Sequence, residues 1–384
     1  VTRESDGIQL LGVGESSASP AAFSMLCDYF PPRMRATAVG IYSSGVYIGE
    51  GIGIFLGGWI LDGWAALYPD GNAPFGLKGW QAAFMAVGLP GLLVAVWVWT
   101  LREPIRGLAD GFPRAASTES PVKVLGRELS TIIPPFTFRT LVRAGAGTRG
   151  LVLNAAFLGV FIILAAGLTR LFGNPAQWWA LSIGLYCVAT WLQNLVYQDY
   201  PAFAMIFKSR AMVFGMFGFG FIAFKTYGIG FWLPPMFIRM HEVSPGEVGL
   251  YIGLGSAIGG WIGVTMGGVI SDWLKNKTPR ARIYVGYMGA VLCIPPDLFV
   301  MTTSNTTAGY IVVPFAVALS SLWIGPAIAL ANELVLPRMR ATASSFYILM
   351  MTFVGLALGP YTMGRFSEAF AAGGDAPAID LRNG

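Results

Sequence analysis

The sequence predicts an all-α protein that crosses a membrane many times, and three observations support this prediction. Of the 384 residues, 55% are hydrophobic and only 12% are charged, whereas soluble domains carry roughly 25% charged residues. The hydrophobic residues fall in blocks of about twenty, the length of helix that spans a hydrocarbon core of about 30 Å. Basic residues lie mainly between the blocks, which is how membrane topology is encoded.

Ten apolar blocks are candidate membrane spans. Continuous apolar runs of this length favour helices, because strands of a membrane barrel alternate apolar and polar residues. In chain order the blocks are Ile8–Leu26, Val39–Ile60, Trp80–Leu101, Leu151–Leu171, Trp178–Val196, Met212–Phe237, Val248–Ile270, Ile283–Met301, Gly309–Ala331 and Ser344–Met363.

The charges between the blocks predict which side faces the cytoplasm. If the chain changes sides at each block, 18 of the 25 lysines and arginines lie on the side of Arg33 and Arg35, six lie on the other, and Lys225 lies within a block. By the positive-inside rule the first side is cytoplasmic. The net charge of +5 is therefore scattered over short loops, which argues against a nucleic-acid partner.

The heptapeptide Pro-Arg-Met-Arg-Ala-Thr-Ala occurs twice, at residues 32–38 and 337–343. In each copy an acid precedes the second arginine by seven residues, and a tyrosine follows the final alanine by four. Each copy joins two apolar blocks on the predicted cytoplasmic side. We interpret the two copies as an internal duplication. Parallel repeats of this kind predict two similar helix bundles, related by an axis along the membrane normal, with a substrate site between them.

These residues resemble the major facilitator superfamily. The spaced acid and arginine at two helix ends, and the segment Gly268-Val-Ile-Ser-Asp272 followed by a basic loop, match its patterns. Within the superfamily, the stretches "GVGESSASPAAFSMLCDYFPPRMRATAVGIYSSGVYIG", "GWQAAFMAVGLPGLL" and "LREPIRG" are similar to the Spinster-like branch. Its characterised members move lysolipids and sphingoid phosphates, so the resemblance implies a lipid-like substrate.

The resemblance also implies a domain organisation. Ile8–Leu26 corresponds to helix 4 of the twelve-helix plan, so we expect helices 1–3 and 12 to be absent from this chain. Residues 1–101 then form the remainder of the N-terminal bundle (helices 4–6), and residues 102–150 form a cytoplasmic linker. Residues 151–210 form an extra helix pair with its connector, and residues 211–384 form the C-terminal bundle (helices 7–11) with a polar tail.

Glu15 is the first candidate functional residue. A charge within a membrane block costs about 2.5–3.5 kcal/mol of insertion free energy, so such residues are rare and usually have a function. A carboxylate that alternates between buried and wetted states can take up and release a proton. The resemblance assigns Glu15 to proton coupling, since the matching acid of the Spinster family is regarded as its protonation site. The alternative is a structural hydrogen bond to a neighbouring helix.

Glu50 lies in a block where Gly45, Gly49, Gly53 and Gly57 recur every four residues. Small residues at this spacing let helices approach closely, which predicts a helix-packing face. Glu50 is one residue off that stripe. We expect it to border the substrate cavity; the alternatives are that it reaches the membrane surface or pairs with a group in the absent helices.

Lys225 lies near the middle of the first block of the second half. A cation at this depth suits an anionic headgroup, and Tyr227, Phe231 and Trp232 suit an acyl chain or a ring. Ordinary aromatic packing is the alternative for each of the three aromatic residues. We expect all four residues, with Glu50, to line the substrate cavity.

Charged residues on the predicted cytoplasmic side form a candidate gate that closes the cavity in one conformation. Topology signals alone would explain the arginines but not the regularly spaced acids. The gate residues are Asp28, Arg33, Arg35, Asp272, Glu333, Arg338 and Arg340.

We therefore expect a secondary active transporter that moves an amphipathic, lipid-like or organic-anion substrate by alternating access, with proton coupling at Glu15. A proton-coupled symporter of small organic or sugar acids is one alternative, and a non-transporting receptor or sensor is another. Three distant cysteines and a single histidine, His241, have no metal-ligand spacing. We accordingly expect no catalytic residues, metal or cofactor, and a monomer in the lipid bilayer of a bacterial inner membrane.

Overall fold

A computed structural model describes residues 18–69, 72–100, 120–173 and 175–372. The first apolar block, Ile8–Leu26, is described only in part: residues 18–29 form a helix, α1. Glu15 lies outside the described residues.

Each of the other nine predicted blocks contains a helix long and apolar enough to cross a membrane. Two shorter helices, Pro121–Ile132 and Phe136–Arg143, precede the helix of the fourth predicted block. The predicted all-α membrane fold is confirmed. The longer helices after α1 are α2 (Arg35–Leu67), α3 (Gly79–Trp99), α4 (Pro121–Ile132), α5 (Phe136–Arg143), α6 (Gly147–Phe172), α7 (Pro175–Gln198), α8 (Arg210–Met240), α9 (Pro245–Lys275), α10 (Ala281–Thr302), α11 (Thr306–Glu333) and α12 (Pro337–Ser367). Short helical segments at Pro74–Gly76, Tyr200–Phe203 and Ala204–Lys208 lie in the connections.

The chain divides into two compact units. The first contains Val1–Arg114 and Phe214–Gly384, and the second contains Ala115–Val213. Residues 102–150, interpreted above as a linker, include the helices α4 and α5. Both helices are short and amphipathic, so neither appears as a continuous apolar block in the sequence.

Polar side chains hold the second unit together. Asn154 of α6 donates to Thr190 Oγ1 (3.1 Å) and Gln193 Oε1 (2.9 Å) of α7, and it accepts from the Tyr186 hydroxyl at 2.8 Å. Asn154 is fully buried. Lipid offers no competing partners, so such bonds link membrane helices where the hydrophobic effect between them is weak.

In the first unit, α2 packs along the length of α9 through close backbone approaches. A Cβ atom added to Gly51 would lie 2.3 Å from the carbonyl oxygen of Gly253, and one added to Gly40 would lie 2.9 Å from that of Val264. Gly58 approaches the Pro245 carbonyl in the same way. These glycines allow α2 of the first half to contact α9 of the second.

The described contacts of α2 use a different face from the one that the glycine ladder predicts. Apart from the backbone of α2 itself, no described residue comes within 4 Å of a Cβ added to a glycine of the ladder, Gly45, Gly49, Gly53 and Gly57. At about 100° per residue, positions 40, 51 and 58 lie within about 20° of one another around the helix. The ladder instead sweeps about 120° around the opposite side, because four residues exceed one turn.

We predict that Gly51→Val destabilises the protein and that Gly49→Val, its matched control two residues away, does not. Overpacking of a tight contact costs about 1–3 kcal/mol. The measurement is the thermal unfolding midpoint of the purified protein in detergent. Equal midpoints for the two variants would contradict the assignment of the packing face.

Candidate functional site

A cavity of about 450 Å³ lies between the two halves of the first unit. Its walls come from α1 and α2 on one side and from α8–α12 on the other. The volume falls within the range of about 300–1,000 Å³ that is typical of ligand sites. The duplication predicted a substrate site between the two repeats, and the cavity lies at that position.

The walls are mainly apolar and aromatic. The carboxylates of Glu50 and Asp297 lie among the lining residues, and the buried Ser43 Oγ and Trp323 Nε1 have no hydrogen-bond partner among the described residues. The aromatic lining residues are Phe23, Tyr47, Tyr227, Phe231, Trp323 and Tyr347. A ligand with an apolar body and a few polar groups therefore fits these walls.

The structure brings together three of the five residues expected to line the cavity: Glu50, Tyr227 and Phe231. Trp232 lies outside the lining, and its indole N–H donates to the Pro360 carbonyl at 2.9 Å. Adjacent residues on a helix differ by about 100° in direction, which explains why Phe231 and its neighbour separate.

Lys225 lies behind the cavity wall and is paired. Its Nζ is 2.9 Å from Asp297 Oδ2, 2.7 Å from Ser320 Oγ and 3.0 Å from Cys293 Sγ. Sequence reasoning missed Asp297 and Ser320. The acid was detectable, because Asp297 is a charge inside a predicted apolar block and meets the criterion that selected Glu50 and Lys225.

Charged side chains cluster at the end of the bundle that holds both heptapeptides, which we call the basic end. Arg282 is the centre: it donates to Asp272 Oδ1 at 2.6 Å and to Glu333 Oε1 at 2.8 Å, and it is 1% exposed. Lys275 also pairs with Glu333. From the sequence, Arg282 counts only as a loop charge, because it directly precedes the predicted block Ile283–Met301. In the structure it lies in the first turn of α10.

Two contacts of this cluster join the first half to the second. Asp272 Oδ2 accepts from the backbone N–H of Thr37 (2.8 Å) and from its hydroxyl (2.7 Å). Asp28 of the first repeat lies 3.6 Å from Arg340 of the second. Asp28 and Asp272, two of the three predicted gate acids, thus connect the two repeats at the basic end.

The second arginine of each heptapeptide has a role that the sequence did not reveal. Arg35 Nε and Nη2 donate to the Cys27 carbonyl at 3.2 and 2.8 Å, and Arg340 Nε donates to the Asn332 carbonyl at 3.4 Å. Both acceptors lie eight residues earlier, at the end of the preceding helix, where carbonyls lack helical partners. The side chains of Arg33 and Arg338, also expected in the gate, are exposed.

The family model of the Major Facilitator Superfamily matches residues 8–360. The chain belongs to this superfamily and is an integral multi-pass membrane protein. The superfamily consists of membrane transporters, so the chain is not an enzyme.

Among known proteins, the chain is similar to the Spinster group. It is 23% identical over 374 residues to the human Protein spinster homolog 1, covering 94% of this chain and 54% of that protein. It is 29% identical over 179 residues to a sphingosine-1-phosphate transporter of Xenopus tropicalis, covering 42% of this chain and 34% of the relative. The chain thus spans about half the length of its Spinster relatives, or less.

A solved structure supports the fold. It is a bacterial homologue of the human lysosomal transporter Spinster, in an inward-facing and unoccupied conformation. It superposes with a TM-score of 0.53 at 23% identity, over 94% of this chain and 62% of that one.

We predict that Arg282→Gln opens the basic end, whereas Arg280→Gln, an exposed neighbour, leaves it closed. Removing one partner of a buried ion pair costs about 3–5 kcal/mol, because the remaining charges are uncompensated. The reporter is Cys27, which is 0% exposed. Its alkylation by a maleimide, read by peptide mass spectrometry, should accelerate several-fold in Arg282→Gln alone. An unchanged rate would contradict the role given to Arg282.

Proposed function

We propose that the protein is a secondary active transporter that moves an amphipathic organic anion by alternating access. The observation that carries this proposal is the aromatic cavity between the two repeats, which charged groups join to each other at one end. Membership of a superfamily of transporters supports it, and so does similarity to a sphingosine-1-phosphate transporter, which moves an amphipathic anion.

The cavity walls favour a substrate with a hydrophobic tail over a small organic or sugar acid. Six aromatic residues line the cavity, and Phe231 is 60% exposed. Covering exposed apolar area contributes about 25 cal/mol per Å². A sugar acid would present hydroxyl groups to these walls and would leave them without partners, which costs free energy.

The basic-end cluster supplies the gate in this proposal. In the closed state that we propose, the contacts of Asp272 to Thr37 and of Asp28 to Arg340 hold the two repeats together at the basic end. Separation of the two repeats there would break both contacts. Transport requires that the substrate change the relative stability of the two states.

Proton coupling completes the proposal. Glu15 is the proposed coupling residue by its resemblance to the Spinster acid, and Glu50 is a second carboxylate at the cavity. We place the protein as a monomer in a bacterial inner membrane, where a proton gradient is available and where its basic loops would face the cytoplasm.

We predict that alkyl sulfonates bind more tightly as their tails lengthen from eight to twelve carbons. Burial of a methylene contributes about 0.8 kcal/mol, or roughly fourfold in affinity. Phe231→Ala should flatten this dependence, whereas Phe214→Ala on the same helix, outside the cavity lining, should not. The affinity of each alkyl sulfonate is measured by its competition with a fluorescent amphipathic ligand for the protein in nanodiscs. Competition by gluconate with no effect of tail length would favour the small-acid symporter instead.

We predict that Glu15→Gln abolishes pH-driven transport and leaves the fold intact, because an amide cannot carry the coupled proton. The measurement is uptake of a radiolabelled lysolipid into proteoliposomes with an imposed pH gradient. Gel filtration and the thermal midpoint check the fold. Unchanged pH-driven uptake would contradict the coupling role, and binding by the wild type without any accumulation would favour a receptor.

A further inference from the structure

We propose that Lys225 and Asp297 form an exchange site for an anion and a proton. The anionic headgroup of the substrate replaces the Asp297 carboxylate at the Lys225 ammonium, and Asp297 takes up a proton in the same event. This inference rests on the proposed function and names the site at which substrate charge and proton meet in the second half of the protein.

The geometry of Lys225 shows why an arriving anion must displace a group already present. An ammonium has three N–H donors, and three acceptors surround Lys225 Nζ at 2.7–3.0 Å: Ser320 Oγ, Asp297 Oδ2 and Cys293 Sγ. The side chains of Lys225 and Asp297 are 31% and 11% exposed. Lys225 lies midway along α8, and Asp297 and Ser320 line the cavity, so a bound headgroup can reach the pair.

The charge balance then requires a proton. The resting pair is neutral, and an anion that takes the place of Asp297 at Lys225 leaves that carboxylate buried without a cation. An uncompensated charge in a buried site is strongly destabilising. Protonation removes the charge: one anion and one proton enter, the Lys225–Asp297 contact breaks, and a Lys225–headgroup contact forms. The site stays neutral, and the new carboxylic acid can donate to Ser320 Oγ, which lies 3.4 Å from Asp297 Oδ2.

Other titratable groups lie beside Lys225 or line the same cavity and must be separated from Asp297 by experiment. Cys293 is on the same helix as Asp297, and Glu50 is the other carboxylate in the lining. Helices α9 and α11 add no titratable side chain to the lining, whereas α2, α8 and α12 add the tyrosines Tyr47, Tyr227 and Tyr347.

The test measures protons and ligand together on the purified full chain in nanodiscs. The first probe is decyl sulfonate, an anion that does not titrate near neutral pH. The second is a sulfobetaine with the same tail and no net charge. A pH indicator in weak buffer reports proton uptake on binding, with empty nanodiscs subtracted. We expect uptake of about one proton for each decyl sulfonate bound. The affinity should therefore fall about tenfold for each unit by which the pH rises. The sulfobetaine should give no uptake.

Variants assign the proton to its group. Asp297→Asn should bind decyl sulfonate without proton uptake and independently of pH, and Lys225→Gln should lose the anion but keep the sulfobetaine. Asp62→Asn changes a carboxylate outside the cavity lining and should behave as the wild type. The Lys225→Gln/Asp297→Asn double variant has no unpaired charge; if it folds, it should bind the sulfobetaine alone.

The outcomes separate this inference from the proposed function. Wild-type protein that binds neither probe would overturn both. Binding of both probes without proton uptake would overturn the exchange site alone, and this result needs no variant to fold. Uptake that persists in Asp297→Asn and disappears in Glu50→Gln would also overturn it, because the proton would then belong to Glu50.

Discussion

The guanidinium of Arg282 lies between the carboxylates of Asp272 and Glu333 in a part of the bundle that water barely reaches. None of these three charges is tolerable there alone, because an unpaired charge in an apolar medium costs several kcal/mol. Together they fix the relative positions of α9, α10 and α11. The same Asp272 accepts two hydrogen bonds from Thr37 of the first half. The contact between the two halves at the basic end therefore depends on this one cluster of charges.

Both copies of the heptapeptide lie at this basic end, where each forms the connection between two membrane helices. In both copies the second arginine donates to a carbonyl eight residues earlier, so the sharp connection between two membrane helices is built twice by the same bond. The acids that accompany the arginines have diverged in their partners: Asp28 faces Arg340 of the other repeat, whereas Glu333 joins Arg282 and Lys275 within its own half. The duplication produced two equivalent helix connections, and these make different contacts at the interface between the halves.

Much of the fold could be predicted from the sequence, because spans in lipid must be long, apolar and helical. Nine of the predicted blocks coincide with helices of the structure. The site was less accessible. Glu50, Tyr227 and Phe231 line the cavity as expected, but the partners of Lys225 come from α10 and α11, and a single sequence does not encode which helices are neighbours. The face by which α2 contacts α9 was not predicted either, because Gly40, Gly51 and Gly58 are eleven and seven residues apart and do not form a regular i, i+4 pattern.

Alternating access between the two repeats is the central claim, and a distance measurement tests it most directly. Spin labels at Met34 and Leu336, both exposed at the basic end, and at Leu67 and Met240, both exposed at the opposite end, report the two gates by double electron–electron resonance. With saturating decyl sulfonate at low pH, the account predicts that a longer distance appears at the basic end while the opposite pair shortens. Two distance distributions that stay the same with and without ligand would contradict it.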